Sequence, residues 1–585
     1  MEKWLIKSAS ANLFEDVSSK DEKILYRVIA NRDIVEESEV ERYLNPSLKN
    51  LNDSSLLNDI DIAADIVLNA IEQKTKIRIV GDYDVDGVMS SYILTSFLRK
   101  NGGIVDYYIP DRVEDGYGIN VNIVQKAIED EIGLIITCDN GISAFDAVAF
   151  AVENGIEIIV TDHHDIPFEI INDDKHFSVP DADAVINPKQ IGDMYPFKEL
   201  CGAAVAYKLV EYIALELGID ESEIVRDYLE FAAIATICDV MDLTGENRDI
   251  VKYGLELINN TVNIGLKALI EESQIGDKTI DVYHIGFVIG PSINASGRIS
   301  SAQIALELLM CNDMNKAISL ARQLRSLNTE RISMTEDGLR LVDAQAQRLD
   351  INKEKVLVLY EPTIHESVAG IIAGKIKDKY YRPTIILTKG KDRVKGSARS
   401  IEGYNIHEEL MKVSNLLASF GGHTLAAGLS LDESNIDKLR FALNSNWHPV
   451  NDELVKKVYI DLGLPIDYIN YDLIELLNKM EPFGKGNPRP IFGAKKVKLT
   501  QGKILGKNKN VLKLNLEQNG ENYQGIFFGD IEQFTGYIKN KFGDYEVNKL
   551  FESSTDKIEM DIVYSANLNE FNGNTSIQLN ISNYR

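Results

Sequence analysis

The sequence lacks the features of a membrane-spanning or secreted protein. No uncharged apolar run approaches the roughly 18 residues that a helix needs to cross a bilayer. The first residues, MEKWLIKSASANLFEDV, contain no apolar stretch after a basic start, so we expect no secretory signal. We therefore expect a cytoplasmic protein that makes no membrane contact.

Cysteine is scarce, and the four cysteines lack the spacing that disulfide-linked or zinc-binding folds require. No two cysteines form a C-x-x-C pair, because they lie far apart, at Cys138, Cys201, Cys238 and Cys311. This spacing argues against both a disulfide framework and a cysteine-rich zinc site. It is typical of a protein that keeps free thiols in a reducing compartment.

Positive charge is also in short supply. The chain has 62 Lys and Arg against 90 Asp and Glu, a formal net charge of −28, which as a total argues against nucleic-acid binding. One segment differs, because Pro482 to Leu516 contains no acid and carries Lys485, Arg489, Lys495, Lys496, Lys498, Lys503, Lys507, Lys509 and Lys513. The run is either a solvated face or a surface for nucleic acid, since local charge counts for more than the sum.

What is present is the hydrophobic pattern of a multidomain α/β protein. At 585 residues the chain is too long for one core, so we expect about three or four domains. From about residue 60, short apolar runs such as IRIV, LIIT and EIIV alternate with amphipathic helical stretches. This alternation predicts a mostly parallel sheet with helices on both faces.

The pattern changes twice further along the chain. A proline-free stretch, SLARQLRSLNTERISMTEDGLRLVDAQAQRL, predicts a long connecting helix, and a second α/β pattern begins at KVLVLYEP. From about residue 450, segments such as VLKLNLEQNGENYQGIFFG alternate at period two between Asn/Gly turns. They predict a small β-barrel or sandwich with a helical insertion near residues 467–480.

Acidic residues follow the predicted strands at the points where those strands end. The segment GDYDVDG, with Asp82, Asp84 and Asp86, follows IRIV; Asp139 follows LIIT and a cysteine; Asp162, His163 and His164 follow EIIV and a threonine. A fourth motif ends a helical run, FAAIATIC, at Asp239. Ligands of parallel sheets bind beyond the carboxyl ends of the strands, so the acids converge if these strands are neighbours.

Simpler interpretations of the motifs exist. The spacing D-x-D-x-D-G also opens an EF-hand, but the twelfth position from Asp82 is Ile93 instead of the required Glu, and a strand precedes it. A single Asp after a strand is usually a helix N-cap, and Asp-His-His alone could be a turn. Several carboxylates near two imidazoles suit two divalent cations. Mn²⁺ or Mg²⁺ is favoured over Zn²⁺ because most of the ligand atoms are oxygens. Such pairs of ions serve the hydrolysis of phosphate esters.

Taken in order, the motifs resemble those of the DHH phosphoesterase superfamily. GDYDVDG, CDNG, TDHH and ICDV carry that resemblance. Six further motifs are similar to the RecJ family of 5′→3′ single-strand-specific DNA exonucleases: IPDRVEDGYGIN, GPSINASGRIS, IHESVAGIIAGKI, KGSARSI, FGGHTLAAG and EPFGKGNPRPIF. The resemblance covers about residues 70 to 495.

The resemblance implies a set of metal and catalytic residues. The implied metal ligands are Asp84, Asp86, Asp139, His163 and Asp239, with Asp139 bridging two ions of Mn²⁺ or Mg²⁺. Asp82 and His164 are implied as further ligands or as residues that orient ligands. Within this set, Asp139, His163 and His164 are the expected catalytic residues.

The resemblance also implies where the nucleic acid binds. The expected substrate-binding residues are Arg112, Tyr117, Asn294, Arg298, Ser397, Arg399, Gly422 and His423. The basic region after Glu481 resembles the family's OB-fold, which is suited to tracking single strands. Family expectations for partners are single-stranded DNA, a helicase and a single-strand-binding protein, with the chain itself a monomer.

The sequence departs from the family pattern at two places. Many members carry His two residues before the first Asp of the first motif, where this chain has Val80, so the first metal has one fewer protein ligand or is held more loosely. The segment IHESVAG has Ile364 and Ser367 where WHxGVIG is commoner. His365 in that segment remains a candidate site residue.

Together these features predict five segments and one leading function. The segments are a helical lead (1–55), a DHH catalytic domain (56–310), a connecting helix (311–350), a DHH-associated α/β domain (351–448) and an OB-fold-like domain (449–585). The leading hypothesis is a metal-dependent exonuclease that releases 5′-mononucleotides from single-stranded DNA, in repair and recombination. The alternatives are a phosphodiesterase for short oligonucleotides or cyclic dinucleotides, and a non-catalytic DNA-binding scaffold.

Overall fold

The computed structural model describes residues 2–8, 19–112, 114–172, 174–351, 353–450, 453–506, 510–571 and 573–585. The chain forms two compact units: Ser47–Lys456, and a second unit that combines Met1–Pro46 with Lys457–Arg585. In the part of the chain that is described, no helix is long and apolar enough to cross a membrane.

The described residues form strands and helices throughout both units. The strands are β1 (Lys3–Ile6), β2 (Lys76–Val80), β3 (Ile104–Tyr108), β4 (Leu134–Cys138), β5 (Glu157–Thr161), β6 (Phe168–Ile171), β7 (Asp174–Phe177), β8 (Ala184–Ile186), β9 (Leu357–Tyr360), β10 (Thr384–Lys389), β11 (Val394–Arg399), β12 (Ser419–His423), β13 (Ala426–Leu431), β14 (Lys457–Ile460), β15 (Leu462–Gly463), β16 (Phe492–Leu505), β17 (Val511–Gln518), β18 (Glu521–Phe528), β19 (Glu559–Phe571) and β20 (Asn574–Tyr584). The α-helices are α1 (Lys20–Ala30), α2 (Glu37–Leu44), α3 (Ile60–Glu72), α4 (Val85–Lys100), α5 (Val121–Glu129), α6 (Phe145–Glu153), α7 (Gly202–Glu216), α8 (Glu221–Cys238), α9 (Gly245–Ile258), α10 (Ile264–Glu272), α11 (Val282–His284), α12 (Gly290–Ile299), α13 (Gln303–Leu309), α14 (Met314–Ala346), α15 (Glu366–Tyr380), α16 (Ile406–Lys412), α17 (Ile436–Asn446), α18 (Tyr471–Asn478), α19 (Ile531–Phe542) and α20 (Asp544–Glu552).

A five-stranded sheet organises the first half of the unit Ser47–Lys456. Its order is β3-β2-β4-β5-β8, and every neighbouring pair is parallel. Alternate residues enter different apolar clusters, so that Ile79 packs in one and Val80 in another. Because both faces are covered, strands such as β4, LIITC, are buried at every position. The predicted parallel sheet is confirmed.

The long connecting helix is also present. Helix α14 runs for 33 residues from Met314, and the Asp313 carboxylate caps it by accepting a 2.7 Å hydrogen bond from the Lys316 amide. The helix leads to a second sheet of order β12-β13-β11-β10-β9. In this sheet only β9 and β10 are parallel, and the other pairs are antiparallel. Helix α15 covers one face of it in the cluster around Ile372 and Ile386.

The other unit contains a closed barrel. Strands β16, β17, β18, β20 and β19 are neighbours in that order, and the pairing of β16 with β19 closes the ring. Helix α18 lies in the insertion predicted near residues 467–480, which precedes the barrel strands. Along β16, Lys495, Lys496 and Lys503 are exposed, whereas Lys507 and Lys509 lie outside the described residues. The predicted β-barrel is confirmed.

The N-terminal segment differs from the expected helical lead over residues 1–55. Lys3–Ile6 is a strand that pairs in parallel with β14, more than four hundred residues away. Residues of α1 and α2 share an apolar cluster with α18 and the barrel. The sequence pattern cannot reveal a partner so distant along the chain, since four residues carry no clear period. The prediction for residues 9–18 lies outside the described residues, and the boundaries of the other segments stay predictions.

Candidate metal centre

The candidate centre lies at the carboxyl edge of the parallel sheet. Asp82 comes two residues after β2, Asp139 directly follows β4, and His163 comes two residues after β5. Because β2, β4 and β5 are consecutive neighbours, their ends bring the three motifs together. Asp239 arrives from outside the sheet as the residue that ends α8.

Glycines allow the backbone to pack closely against the loops that carry Asp82 and Asp139. A Cβ atom on Gly202 would lie 2.6 Å from the Cβ of Asp139, and one on Gly87 would lie 2.4 Å from the backbone nitrogen of Asp82. Asp139 itself has a φ of 61°. Asp tolerates this left-handed conformation better than most side chains do.

Asp86 is held by the start of a helix. Its two carboxylate oxygens accept hydrogen bonds of 2.7 Å from the backbone amides of Gly202 and Ala203, in the first turn of α7. The positive end of the helix dipole favours the ionised carboxylate. Burial acts in the opposite direction and raises the pKa of Asp86.

His163 contacts three carboxylates through one atom. Its Nε2 lies 3.1 Å from Asp139, 3.5 Å from Asp86 and 3.8 Å from Asp239. With Asp86 and Asp239 it forms one group of ligand atoms that lie within 4.8 Å of one another, and with Asp139 and His164 it forms a second. Burial lowers the pKa of His163, so its imidazole is favoured in the neutral form that binds metals.

A third group of ligand atoms consists of carboxylates alone. Asp82, Asp84 and Asp139 present oxygens within 4.8 Å of one another. The Oδ1 atom of Asp82 is buried and has no hydrogen-bond partner among the described residues. An orphaned carboxylate oxygen beside two other acids is costly unless a cation compensates it. The residues present therefore fit divalent cations.

The acids raise one another's pKa values. Burial raises the pKa of Asp82 well above its usual value, and the charge of Asp84 raises it further. Burial also raises the pKa of Asp139, and four neighbouring aspartates add to the effect. Divalent cations would remove this repulsion and let the carboxylates ionise together. Asp139 belongs to two of the three ligand groups, which is the position expected of a bridging ligand.

Asp162 orients His164, a role that was not among those expected from the sequence. Asp162 is buried, and its Oδ1 lies 2.7 Å from the Nδ1 of His164 and accepts a hydrogen bond from the His163 amide. Burial would raise the pKa of Asp162, but His164 lowers it to about 2. In turn, Asp162 overcomes burial and raises the pKa of His164 to about 9. The position of Asp162 between a strand and two histidines was the available signal.

Tyr117, from the segment IPDRVEDGYGIN, contacts both Asp139 and His164. Its hydroxyl donates a 3.0 Å hydrogen bond to the backbone oxygen of Asp139 and lies 3.2 Å from the Nε2 of His164. The ring contacts Tyr83 edge-on, and the Arg112 guanidinium lies 5.0 Å from the centre of the Tyr83 ring. Arg112 and Tyr117 thus lie beside the loop that carries the acids.

Val80, which departs from the family pattern, and His365, in the divergent segment IHESVAG, both have structural roles. Val80 is fully buried in the apolar cluster that contains Ile135 and Val160. His365 is the N-cap of α15, where its Nδ1 lies 2.7 Å from the Ser367 hydroxyl. No group of candidate metal ligands among the described residues includes His365.

A group of arginines lies next to the acids. Burial lowers the pKa of Arg298 to about 10, and the charges of Arg112 and Arg331 contribute to the decrease. Burial and Arg112 likewise lower the pKa of Arg399. In the described ranges none of these four forms an ion pair with a carboxylate. Such a cluster of unpaired guanidinium groups is suited to phosphate. Arg331 lies in the middle of α14, and no local sequence pattern marks it as a site residue.

The second α/β domain contributes to the same group. The Arg298 guanidinium donates a 2.9 Å hydrogen bond to the backbone oxygen of Ser367, at the start of α15. A Cβ atom on Gly370 in that helix would lie 2.9 Å from both Arg399 Nη2 and Ser397 Oγ. Asn294 lies one helical turn before Arg298 on α12.

Gly422 and His423 end strand β12 in the same sheet. A Cβ atom on Gly422 would lie 2.3 Å from the backbone oxygen of Ala426, so the turn requires glycine there. His423 is exposed, and its charge contributes to a lowered pKa of Asp165, whose main cause is Lys189.

Comparisons with known proteins identify three family regions in the chain. Residues 76–236 match the N-terminal domain of the DHH family, residues 353–447 match the DHHA1 domain, and residues 460–583 match the RecJ OB domain. The first covers the sheet with the acids, the second covers the sheet with Arg399, and the third covers the barrel.

Two curated relatives are both named single-stranded-DNA-specific exonuclease RecJ. The single-stranded-DNA-specific exonuclease RecJ of Haemophilus influenzae is 33% identical over 99% of this chain and 98% of its own length. The Bacillus subtilis protein of that name is 36% identical over 81% of this chain, which spans 59% of that relative.

Solved structures agree with these relatives. The crystal structure of RecJ in complex with Mn²⁺ from Thermus thermophilus superposes with a TM-score of 0.81 at 27% identity, and it covers 100% of this chain and 79% of that one. The structure of the same protein in complex with Mg²⁺ gives 0.75 at 25% identity, with 100% and 78% covered. By fold and sequence, the chain belongs to the RecJ family of single-stranded-DNA-specific exonucleases.

Proposed function

We propose that the chain is a metal-dependent exonuclease that hydrolyses single-stranded DNA from its 5′ end and releases 5′-mononucleotides. The observation that carries this proposal is the adjacency of two opposite charge clusters. Buried carboxylates around Asp139 can hold cations, while unpaired arginines around Arg298 can hold phosphate. A DNA strand that contacts both clusters would place one phosphate at the acids and the neighbouring phosphate at the arginines.

We propose two ions of Mn²⁺ or Mg²⁺ as cofactors. Asp82, Asp84 and Asp139 would hold one ion, and Asp86, Asp239 and His163 the other. Asp139 would be shared, since it lies 3.1 Å from the Nε2 atom of His163. Oxygen ligands outnumber nitrogen ligands, which favours these hard cations. Such ions, when bound, supply activation of water and neutralisation of charge on the phosphate that is cleaved. With Val80 in place of a histidine, the first ion would have only carboxylates from this chain.

Residues around the acids would orient the site and contact the substrate. The buried Asp162 orients the ring of His164 through a 2.7 Å contact between Asp162 Oδ1 and His164 Nδ1. In that orientation His164 would contact either a bound ion or a phosphate oxygen. Tyr117 keeps its proton because burial raises the pKa of its hydroxyl, so it acts as a hydrogen-bond donor.

The 5′ end would be held by the second α/β domain. Ser397 and Arg399 end strand β11 beside the start of α15, whose amides favour an anion. Gly422 and His423 belong to the same sheet. A terminal phosphate bound there would place the first phosphodiester at the acids, which accounts for the proposed release of single nucleotides.

The barrel would supply a second surface for single-stranded DNA. Lys495, Lys496 and Lys503 of β16 provide exposed positive charge on an OB-type barrel, a fold that tracks single strands. We propose a monomer that acts in the cytoplasm on DNA under repair, with a helicase and a single-strand-binding protein as partners on the model of the family. The functional segments are those of the sequence analysis, with residues 1–46 added to the barrel.

A direct assay tests this function. The full chain is incubated with Mn²⁺ and with single strands labelled at the 5′ or the 3′ end, beside blunt duplex and dinucleotides. A 5′ label should appear at once as a mononucleotide, whereas a 3′ label should pass through a ladder of shortened strands. Equal cutting of blunt duplex, or cutting of dinucleotides alone, would overturn the proposal and favour the alternatives.

A further inference from the structure

A continuous helix beside the candidate centre presents one polar and aromatic face. A π-helical turn, Ile285–Ile289, joins α11 to α12, so the helix runs from Val282 to Ile299. Its less buried positions include Tyr283, Phe287, Pro291, Asn294 and Arg298, which follow one another at intervals of three or four residues and share a face. Ile285, Ile289 and Ile293 are buried on the opposite side. Single π-helical turns of this kind occur frequently at functional sites.

One end of this face reaches the arginines. A Cβ atom on Gly297 would lie 2.2 Å from the backbone oxygen of Tyr83, so the helix closely approaches the loop that carries Asp82 and Asp84. Arg298, the next residue, belongs to the unpaired arginine group. This end of the helix therefore lies at the arginines that are proposed to hold phosphate.

The other end of the face reaches the opposite side of the acids. A Cβ atom on Gly290 would lie 2.4 Å from the sulfur of Cys238, and the Cys238 thiol lies 3.9 Å from the backbone oxygen of Ile285. Cys238 directly precedes Asp239. The helix thus passes alongside the acids, from the Asp84 loop at one end to Asp239 at the other.

Two aromatic rings stand exposed at the Asp239 end. Tyr283 is 61% exposed and Phe287 is 70% exposed, and their rings stack with centroids 5.0 Å apart and planes at 25°. Phe287 and Arg298 are eleven residues apart, about 16 Å along a helix. That distance is the length of a few nucleotides. Stacked aromatic faces bind bases of any sequence, which suits a nuclease without sequence preference.

We propose that Tyr283 and Phe287 form a stacking platform for the bases on the 3′ side of the bond that is cut. This proposal rests on the proposed function, because the strand must lie across the acids. The phosphate on the 5′ side binds at Arg298, the cleaved phosphodiester lies at the acids, and the bases that follow stack on Phe287. The platform holds the strand in place while each nucleotide is removed.

Substitutions at Phe287 test the platform in the full chain with Mn²⁺. Removal of one stacking ring typically weakens single-strand binding by roughly five- to 150-fold. We therefore expect Phe287→Ala to raise KM in that range for 5′-phosphorylated oligothymidylate, with kcat little changed. Phe287→Leu keeps apolar volume without a ring and should resemble Phe287→Ala, whereas Phe287→Tyr should resemble the unmodified chain. The control is Phe441→Ala, since Phe441 is 75% exposed on α17 and lies outside the site.

A second arm uses substrates that lack one base. An abasic position is moved along the strand, one nucleotide at a time from the 5′ end. The unmodified chain should show a raised KM at one or two positions, and Phe287→Ala should be insensitive at those same positions. Equal KM values for Phe287→Ala and Phe441→Ala, or recovery by Phe287→Leu, would overturn the platform. If the unmodified chain does not cut single strands at all, the proposed function fails first, so the two failures are distinct.

Discussion

The Nε2 atom of His163 lies 3.1 Å from the Oδ1 atom of Asp139, and the two residues come from neighbouring parallel strands. Asp139 also shares a ligand group with Asp82 and Asp84, so one carboxylate connects the imidazole to the acidic loop. This relationship makes Asp139 the centre of the candidate site. Its substitution should therefore disable both proposed ion sites together.

We expect Asp139→Asn to abolish hydrolysis while it leaves single-strand binding largely intact. Asn tolerates the left-handed backbone at this position, where φ is 61°, so the fold is preserved. The amide lacks the negative charge that a bridging ligand supplies, so Mn²⁺ affinity should fall sharply. Calorimetric titration with Mn²⁺ measures the affinity, and fluorescence anisotropy with labelled oligothymidylate measures DNA binding.

The control for this substitution is Asp337→Asn, which removes an exposed carboxylate on α14 that pairs with Arg340. It should leave both Mn²⁺ affinity and cutting unchanged. An Asp139→Asn variant that still cuts at an appreciable rate would show that the ligand assignment is mistaken.

A glycine substitution should reach the centre indirectly. A Cβ atom on Gly202 would lie 2.6 Å from Asp139 Cβ, whereas one on Gly374 in α15 would meet nothing within 4 Å. Gly202→Ala must therefore displace Asp139, which we expect to lower Mn²⁺ affinity about tenfold or more, as loss of an orienting contact does. Gly374→Ala is the matched control and should leave affinity unchanged. Equal Mn²⁺ titrations for the two variants would contradict the close packing.

Much of this arrangement was predictable, because it depends on local patterns. Apolar runs of four or five residues, each followed by an acid, predicted the strands β2, β4 and β5 and placed the acids at one edge. The long helix α14 and the period-two segments of the barrel were equally clear. In each case the hydrophobic period is set by which faces are buried, and the sequence records it directly.

The parts that were missed depend on contacts between distant segments. Strand β1 is four residues long and gains its partner only through β14. Asp162 resembles an ordinary N-cap until the fold brings Ile142 and both histidines against it. Arg331 is one of several arginines on α14, and only the packing of α12 and α15 distinguishes it. Such roles are set by tertiary contacts, which a single sequence does not encode in any local pattern.

Arg331 should act as a phosphate-binding residue. It is half-buried, its Nε donates a 3.0 Å hydrogen bond to Asn328, and its charge contributes to the lowered pKa of Arg298. We expect Arg331→Gln to raise KM for single strands with little change in kcat. The slope of log Kd against log salt concentration should fall by about 0.7, the value for one phosphate contact on a single strand.

Two variants separate the charge of Arg331 from a structural effect. Arg331→Lys keeps the charge and should retain the salt slope, although it loses the planar fork and some affinity. Arg340→Gln removes an exposed arginine on the same helix that pairs with Asp337, and it should change neither KM nor the slope. A salt slope that is the same in Arg331→Gln and the unmodified chain would mean that Arg331 contacts no phosphate.

Glu230 should make the stability of the catalytic unit depend on pH. This residue of α8 is buried, and among the described residues only Thr261 donates a hydrogen bond to its side chain, at 2.8 Å; burial raises its pKa to about 7. The unfolded chain loses the proton near pH 4.5, so between pH 4.5 and 7 the folded chain binds more protons. The free energy of unfolding therefore falls as pH rises through this window, by about 3 kcal/mol in all.

The Glu230→Gln substitution tests this dependence, because the amide stays neutral at every pH and should remove that fall. Unfolding in urea at pH 4.5 and pH 8 measures the difference, and Glu256→Gln, on the exposed face of α9, is the control. Parallel pH profiles for Glu230→Gln and the unmodified chain would show that Glu230 ionises normally in the folded state.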